Sequence, residues 1–229
     1  GTVWQNRVLF SKLPFNLDKD LTPIAIFPSG PLVVAVSEKV PAQNMREFIV
    51  FAKANNTSMG SYAPGSYPHM VADQTNRAEG TNIQSVHYKG ELPMWVDVAS
   101  SQTQIAIGSH QSFSTVQPRG VRAIAVTGSF RSPKLPDVST LVEQGIRGNL
   151  VPLEGGLPLM APSGTPESIL QTLSEVVVKG ANTERAAKLR ESFAIPNKPK
   201  NLIDTRLEWN QVVPIWIKLA LDLGIKLDQ

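Results

Sequence analysis

Short apolar runs alternate with amphipathic helical stretches between residues 24 and 127, and this alternation constrains the fold more than any other feature of the chain. Strand-like runs fall at 24–27, 32–36, 58–61, 83–88, 104–107 and 121–127. Between them, apolar residues recur at helical spacing. Met45, Phe48, Ile49 and Ala52 follow the cap residue Asn44, with Glu47 three positions on, and Leu92, Trp95, Val96 and Ala99 form a second such face. Strands separated by short helices predict an α/β fold with a parallel-rich sheet flanked by helices. Ligands of such sheets sit beyond the carboxyl ends of the strands.

The rest of the chain reads differently. A short helix is expected over 4–13, ended by Pro14, then a loop over 13–23. Beyond Thr127 comes a proline-rich loop at 131–140, then short strands at 151–153 and 157–161. Helices follow at 166–179 and 183–192, and Asn201 or Asp204 opens a last helix whose buried face includes Leu207, Val213, Trp216 and Leu219. With 229 residues and 41% hydrophobic content, one domain or two small lobes can be built. The runs at 24–27 and 151–153 bracket the middle of the chain, the layout of two lobes joined by a hinge. The expected division is a remnant of a first lobe with the hinge entrance (1–27), a second lobe (28–151), and a return hinge with the C-terminal helices of the first lobe (152–229).

Composition removes several function classes. A net charge of +3, with no long or aromatic-interleaved basic run, argues against nucleic acid and mildly favours anionic ligands. The chain has no cysteine, which excludes thiolate zinc sites, disulfides and cysteine nucleophiles. No apolar run approaches the length of a membrane span. The first residues lack a signal-peptide pattern, and the chain reads as beginning partway through a longer protein.

Two loops at strand ends are small and polar. The first, Ser61-Tyr62-Ala63-Pro64-Gly65-Ser66, runs from a strand into a helix capped by Ser66. Small residues let backbone N–H groups approach a ligand, and a helix start favours anions. The second, Tyr88-Lys89-Gly90, should lie on the same sheet edge. Ser61, Gly65 and Ser66 are therefore candidates to hold a carboxylate, with Lys89 steering it and Gly90 making the turn. An ordinary helix cap and a solvated lysine are the plain alternatives. His69 lies one turn into the helix, a position that suits a local hydrogen bond. It has no orienting acid, there is no G-x-S-x-G elbow, and His87 and His110 show no metal-ligand spacing with it, so neither catalysis nor a metal is expected. No cofactor is implied.

The motifs in order carry a resemblance. Asp20-Leu21-Thr22-Pro23-Ile24-Ala25, the loop from Gly60 to His69-Met70, Tyr88-Lys89-Gly90, Arg122-Ala123-Ile124-Ala125-Val126-Thr127 with Leu135-Pro136-Asp137-Val138, and Ala161-Pro162-Ser163-Gly164-Thr165-Pro166 resemble the Bug/TctC family of periplasmic solute-binding proteins. These serve tripartite tricarboxylate transporters. Ala63 stands where the family has glycine, Ser139 where it has proline, and Gln104 where it has aspartate. The resemblance implies a periplasmic-binding-protein-like fold with an incomplete first lobe, since about the first third of a family member is absent. It also implies a non-enzymatic protein that binds a small organic carboxylate at Ser61, Ala63, Gly65, Ser66, His69, Tyr88, Lys89 and Gly90 and delivers it to membrane transporter subunits from the periplasm. An interaction or sensory module that has lost transport is the alternative. Surface left by the missing segment would then drive homodimerisation and leave Trp4 exposed.

Overall fold

A computed structural model describes residues 2–228, apart from the side chains of Thr2 and Val3. Along the chain lie α1 (Thr2–Leu9), α2 (Leu17–Asp20), β1 (Leu21–Pro28), β2 (Val33–Val36), α3 (Met45–Ala54), β3 (Thr57–Ser61), α4 (Tyr67–Glu79), β4 (Ile83–His87), α5 (Glu91–Ala99), β5 (Ile105–Gly108), α6 (His110–Ser114) and β6 (Arg122–Val126). β7 (Gly156–Pro162), α7 (Glu167–Ala181), α8 (Glu184–Ser192) and α9 (Leu202–Asp222) complete it. They form two compact units. One is the contiguous stretch Pro31–Glu154; the other combines Gly1–Gly30 with Gly155–Gln229. Among the described residues no helix is long and apolar enough to cross a membrane.

The contiguous unit holds a five-stranded sheet in the order β4-β3-β5-β2-β6. The α/β sheet flanked by helices is present, and its pairing is mixed. β3 runs parallel to β4 and β5, but β2 is antiparallel to both β5 and β6. The reason is the connection from β2 through α3, which brings β3 in beside β5 and not beside β2. Small residues then let a helix come close. A Cβ at Gly60 would lie 2.6 Å from Met94 Cγ, and one at Gly108 would lie 3.0 Å from Trp95 Nε1. Met94, Trp95 and Val98 of α5 pack on this face with Val33, Ala35, Ala106 and Phe113. Leu92 and Val96, expected in the core, are exposed instead. The alternate strand residues Val34, Val36, Met59, Ile105 and Ile107 are buried on the other face. α3 is fixed at its start as its sequence predicts: the Asn44 side chain accepts from the Glu47 amide, and Glu47 accepts from the Gln43 amide.

The other unit is built on a two-stranded antiparallel ribbon, β1 with β7. Ile24, Ala161, Leu170 and Leu202 form its core, joining the ribbon to α7 and α9. The strand expected at 151–153 is a turn, because Val151 and Leu153 donate back to Gly148 and Leu150 and Pro152 has no amide to offer a ladder. The loop expected over 13–23 contains α2, capped by Asn16, whose side chain accepts from the amides of Asp18 and Lys19. Trp4 is only 2% exposed, so the expectation of an uncovered Trp4 fails. It packs edge-on to Trp209 at 5.3 Å and against Trp216 at 6.3 Å between ring centroids.

Candidate functional site

The parallel pairing of β3 and β4 puts Ser61 opposite His87. The Tyr88 amide extends the ladder by donating to the Ser61 carbonyl at 2.8 Å. Loops 62–66 and 88–90 therefore leave the sheet side by side, at the carboxyl ends of adjacent parallel strands. β5 ends on the same edge at Gly108, which faces Val33 at the start of β2, and Val33 in turn faces Val126 at the end of β6.

Loop 62–66 is closed by its own polar atoms. Ser61 Oγ donates to the Ala63 carbonyl at 2.7 Å, and the Ser66 amide donates to that same carbonyl at 3.1 Å. The two hydroxyls, Ser61 Oγ and Ser66 Oγ, are 2.8 Å apart and buried. The Ser61 proton is committed to Ala63, so the Ser66 hydroxyl is the donor within the pair. Ser66 occupies the N-cap of α4, but its hydroxyl caps no helix amide. Pro68 has no N–H to give. The Tyr67 amide is taken by the Tyr62 phenol and the Met70 amide by the Ser66 carbonyl, so what the start of α4 offers a carboxylate is chiefly its positive dipole end.

Gly65 is buried with φ +72°, a conformation that a side chain would strain. Its amide donates to His69 Nδ1 at 3.0 Å. The His69 ring lies 4.7 Å from that of His87. Burial, and then His87, push the His69 pKa below its ordinary value, opposed by Asp73. Burial lowers His87 as well. At neutral pH both rings are uncharged.

The second loop divides in two. Tyr88 turns its hydroxyl to Asp97 at 2.8 Å and packs against the α5 core, so this side chain braces the loop. Burial and Asp97 raise its pKa to about 12. Lys89 is exposed, and among the described residues it has no hydrogen bond or ion pair. Gly90 starts α5 at φ +107°, again a conformation for glycine.

Three groups at this edge escaped the sequence reading. Tyr62 is pushed up to about 12 by burial and by Glu91, against the opposing Tyr67 amide, and remains a neutral phenol able to donate. Glu91 accepts from the Ser109 hydroxyl at 2.6 Å and amide at 2.9 Å, tying the start of α5 to the end of β5. Tyr67 donates to the Leu150 carbonyl at 3.1 Å and holds the start of α4. Of their partners, Ser109 was findable, since it caps α6 in the usual way. Gln104 sits at the opposite edge, where it accepts from the Ser58 amide at 2.8 Å and joins the starts of β3 and β5. Its departure from the family pattern is therefore remote from the loops. Among the described residues no three His, Asp or Glu side chains cluster as a metal site.

Residues 2–199 match the model of the family described as tripartite tricarboxylate transporter family receptor, TctC. The chain is similar to a UPF0065 protein of Bordetella bronchiseptica, 28% identical over 163 residues, covering 71% of this chain and 48% of that protein. It is also similar to protein BugT of Bordetella pertussis, 25% identical over 189 residues, covering 81% of this chain and 56% of that one. The chain thus spans about half the length of the curated relatives it matches. Among solved structures, R. palustris Rpa4515 with adipate superposes with a TM-score of 0.83 at 23% identity, over 98% of this chain and 76% of that one. MatC from Rhodopseudomonas palustris with bound malate gives 0.73 at 21% identity, over 94% and 75%. These likenesses establish the α/β fold of a periplasmic binding protein.

Proposed function

Because this chain belongs to the TctC family of tripartite tricarboxylate transporter receptors, we propose that it is part of a non-enzymatic periplasmic receptor that binds a small organic carboxylate and presents it to a membrane transporter. The observation that carries this reading is the meeting of loops 62–66 and 88–90 at one sheet edge, with the positive end of α4 opening from the first of them. The carboxylate is drawn to the positive end of α4 there, with the Ser61–Ser66 pair setting the loop, His69 and Ala63 shaping it, and Lys89 attracting the anion. The relatives solved with adipate and malate are consistent with that chemistry. A non-enzymatic role is supported by the hydrogen bonding: Ser66 bonds Ser61, and His69 bonds Gly65, so no serine–histidine dyad forms.

Magnitudes say how much more is needed. A charge-assisted hydrogen bond contributes about 1.5–3 kcal/mol, whereas micromolar affinity requires about 8 kcal/mol. Three to five such contacts are called for, more than one helix start supplies, so contacts from beyond this loop are required. Calorimetric titration of a full-length form with di- and tricarboxylates, aromatic acids and amino acids is expected to find a carboxylate bound at micromolar concentration. No binding by any of them, with turnover of a substrate instead, would sink the reading.

A second reading, a self-associating interaction module, draws on the other unit, where Leu157, Val176 and Leu207 are more than half exposed. Sedimentation decides between the two. A stable dimer without carboxylate affinity favours the module, and a monomer that binds favours the receptor.

A further inference from the structure

The bond from the Gly65 amide to His69 Nδ1 folds loop 62–66 back onto the first turn of the helix it precedes. Nδ1 can accept only while it carries no proton, so the bond requires neutral His69 with its proton on Nε2. The same donor is held in place by the left-handed conformation of Gly65. The groups facing His69 are few. β4 contributes His87, with its ring at 4.7 Å, and Lys89 follows two residues later. α4 itself contributes Asp73, which is paired with Arg77 at 3.0 Å. β3 and β5 carry no charged residue, and neither does the turn of residues 148–151 that meets α4 at Tyr67.

We propose that His69 is a positioning residue: when neutral it latches loop 62–66 in its carboxylate-binding shape, and when protonated it releases the Gly65 amide and lowers carboxylate affinity. The second half rests on the receptor reading of the same loop. Protonation would set two donors, the Gly65 N–H and the new Nδ1–H, facing each other across 3.0 Å. Burial and the neighbouring His87 hold the His69 pKa below its ordinary value, so the latch is closed at neutral pH and opens only in acid. Simple attraction between an imidazolium and an anion predicts the reverse, tighter binding in acid. The sign of the pH effect therefore separates a latch from a direct cationic contact.

The test pairs two measurements between pH 8 and pH 5 on the same protein. Nitrogen NMR of the His69 ring and the Gly65 amide, without ligand, reads the latch, and calorimetry with adipate and malate reads binding. The Gly65 amide should follow the His69 titration, and affinity should fall about tenfold over the same range, as for the loss of one organising hydrogen bond. His69→Gln, which keeps an acceptor but does not titrate, should flatten the acid step. His87→Gln should move the step to higher pH, because it removes a competing charge, and a merely structural histidine would show no such movement. A Gly65 signal independent of His69, affinity that rises in acid, or an unchanged step in His69→Gln overturns the proposal. If neither acid binds at any pH, the receptor reading falls for these acids, while the ring and amide signals still decide the latch.

Discussion

Ser66→Asp is expected to abolish carboxylate binding while leaving the fold in place. The substitution puts a carboxylate at the N-cap of α4, where aspartate is among the preferred residues and meets the favourable end of the helix dipole. The helix is therefore kept. The ligand, however, meets a like charge. Two unit charges 4 Å apart repel by about 4 kcal/mol at the effective dielectric of a protein surface, which corresponds to a loss of several hundredfold in affinity. Ser66 is only 9% exposed, so solvent screens little of this. Ser66→Ala is the graded control. It removes the hydroxyl that donates to Ser61 Oγ but adds no charge, and it should weaken binding by about 3- to 10-fold through one lost neutral hydrogen bond. Calorimetry measures both, and a thermal melt checks that each variant is folded. Full affinity in Ser66→Asp would move the carboxylate site away from this loop.

Trp95→Ala is expected to destabilise the contiguous unit by about 3–5 kcal/mol, the cost of emptying a large buried aromatic site. Trp95 is fully buried, meets Phe113 edge-on at 5.7 Å between ring centroids, and lies against Gly108, where a Cβ would sit 3.0 Å from its Nε1. Removing the indole leaves a cavity beneath the end of β5, beside the Glu91–Ser109 bond. For a unit of this size the melting temperature should fall by about 10–20 °C. A domain holds only about 5–15 kcal/mol of stability in all, so this one change consumes much of it. Calorimetric melting tests it, and a loss below about 1 kcal/mol would mean that α5 packs otherwise than described.

The comparison of sequence with structure is instructive where it fails. Strand positions were legible because their apolar runs are bounded by turn residues, but strand direction was not. The run at 32–36 reads the same whether its neighbours run with it or against it, and β2 proved antiparallel to both. In α5 the residue types offered two apolar faces, and spacing chose the one bearing Leu92 and Val96. The buried face carries Met94 and Val98 instead, because Gly60 and Gly108 open room for it on the sheet. The strand expected around Pro152 was an apolar run without a ladder to join.

At the site, the meeting of the two loops followed from the parallel β3–β4 pair that the β-α-β order implied. What each side chain does there did not follow. Tyr88 was read as a ligand candidate, and nothing local foretold that its hydroxyl would bond Asp97, nine positions away on a helix. Ser66 looked like a cap, and its hydroxyl went to Ser61 across the loop. Such partners depend on tertiary placement, to which local pattern is blind.

The division of the chain also sets an order of assembly. Pro31–Glu154 is contiguous and can fold as soon as it has been synthesised. β1 is made before it, yet β7, the strand that pairs with it, is made after. Until then β1 waits with an unpaired edge, and closing the ribbon means joining ends separated by the whole of the intervening unit. Folding that unit first replaces a long flexible loop by a compact body, which lowers the entropic cost of bringing Gly30 and Gly155 together. A defect that slows the inserted unit is therefore expected to delay the β1–β7 ribbon as well.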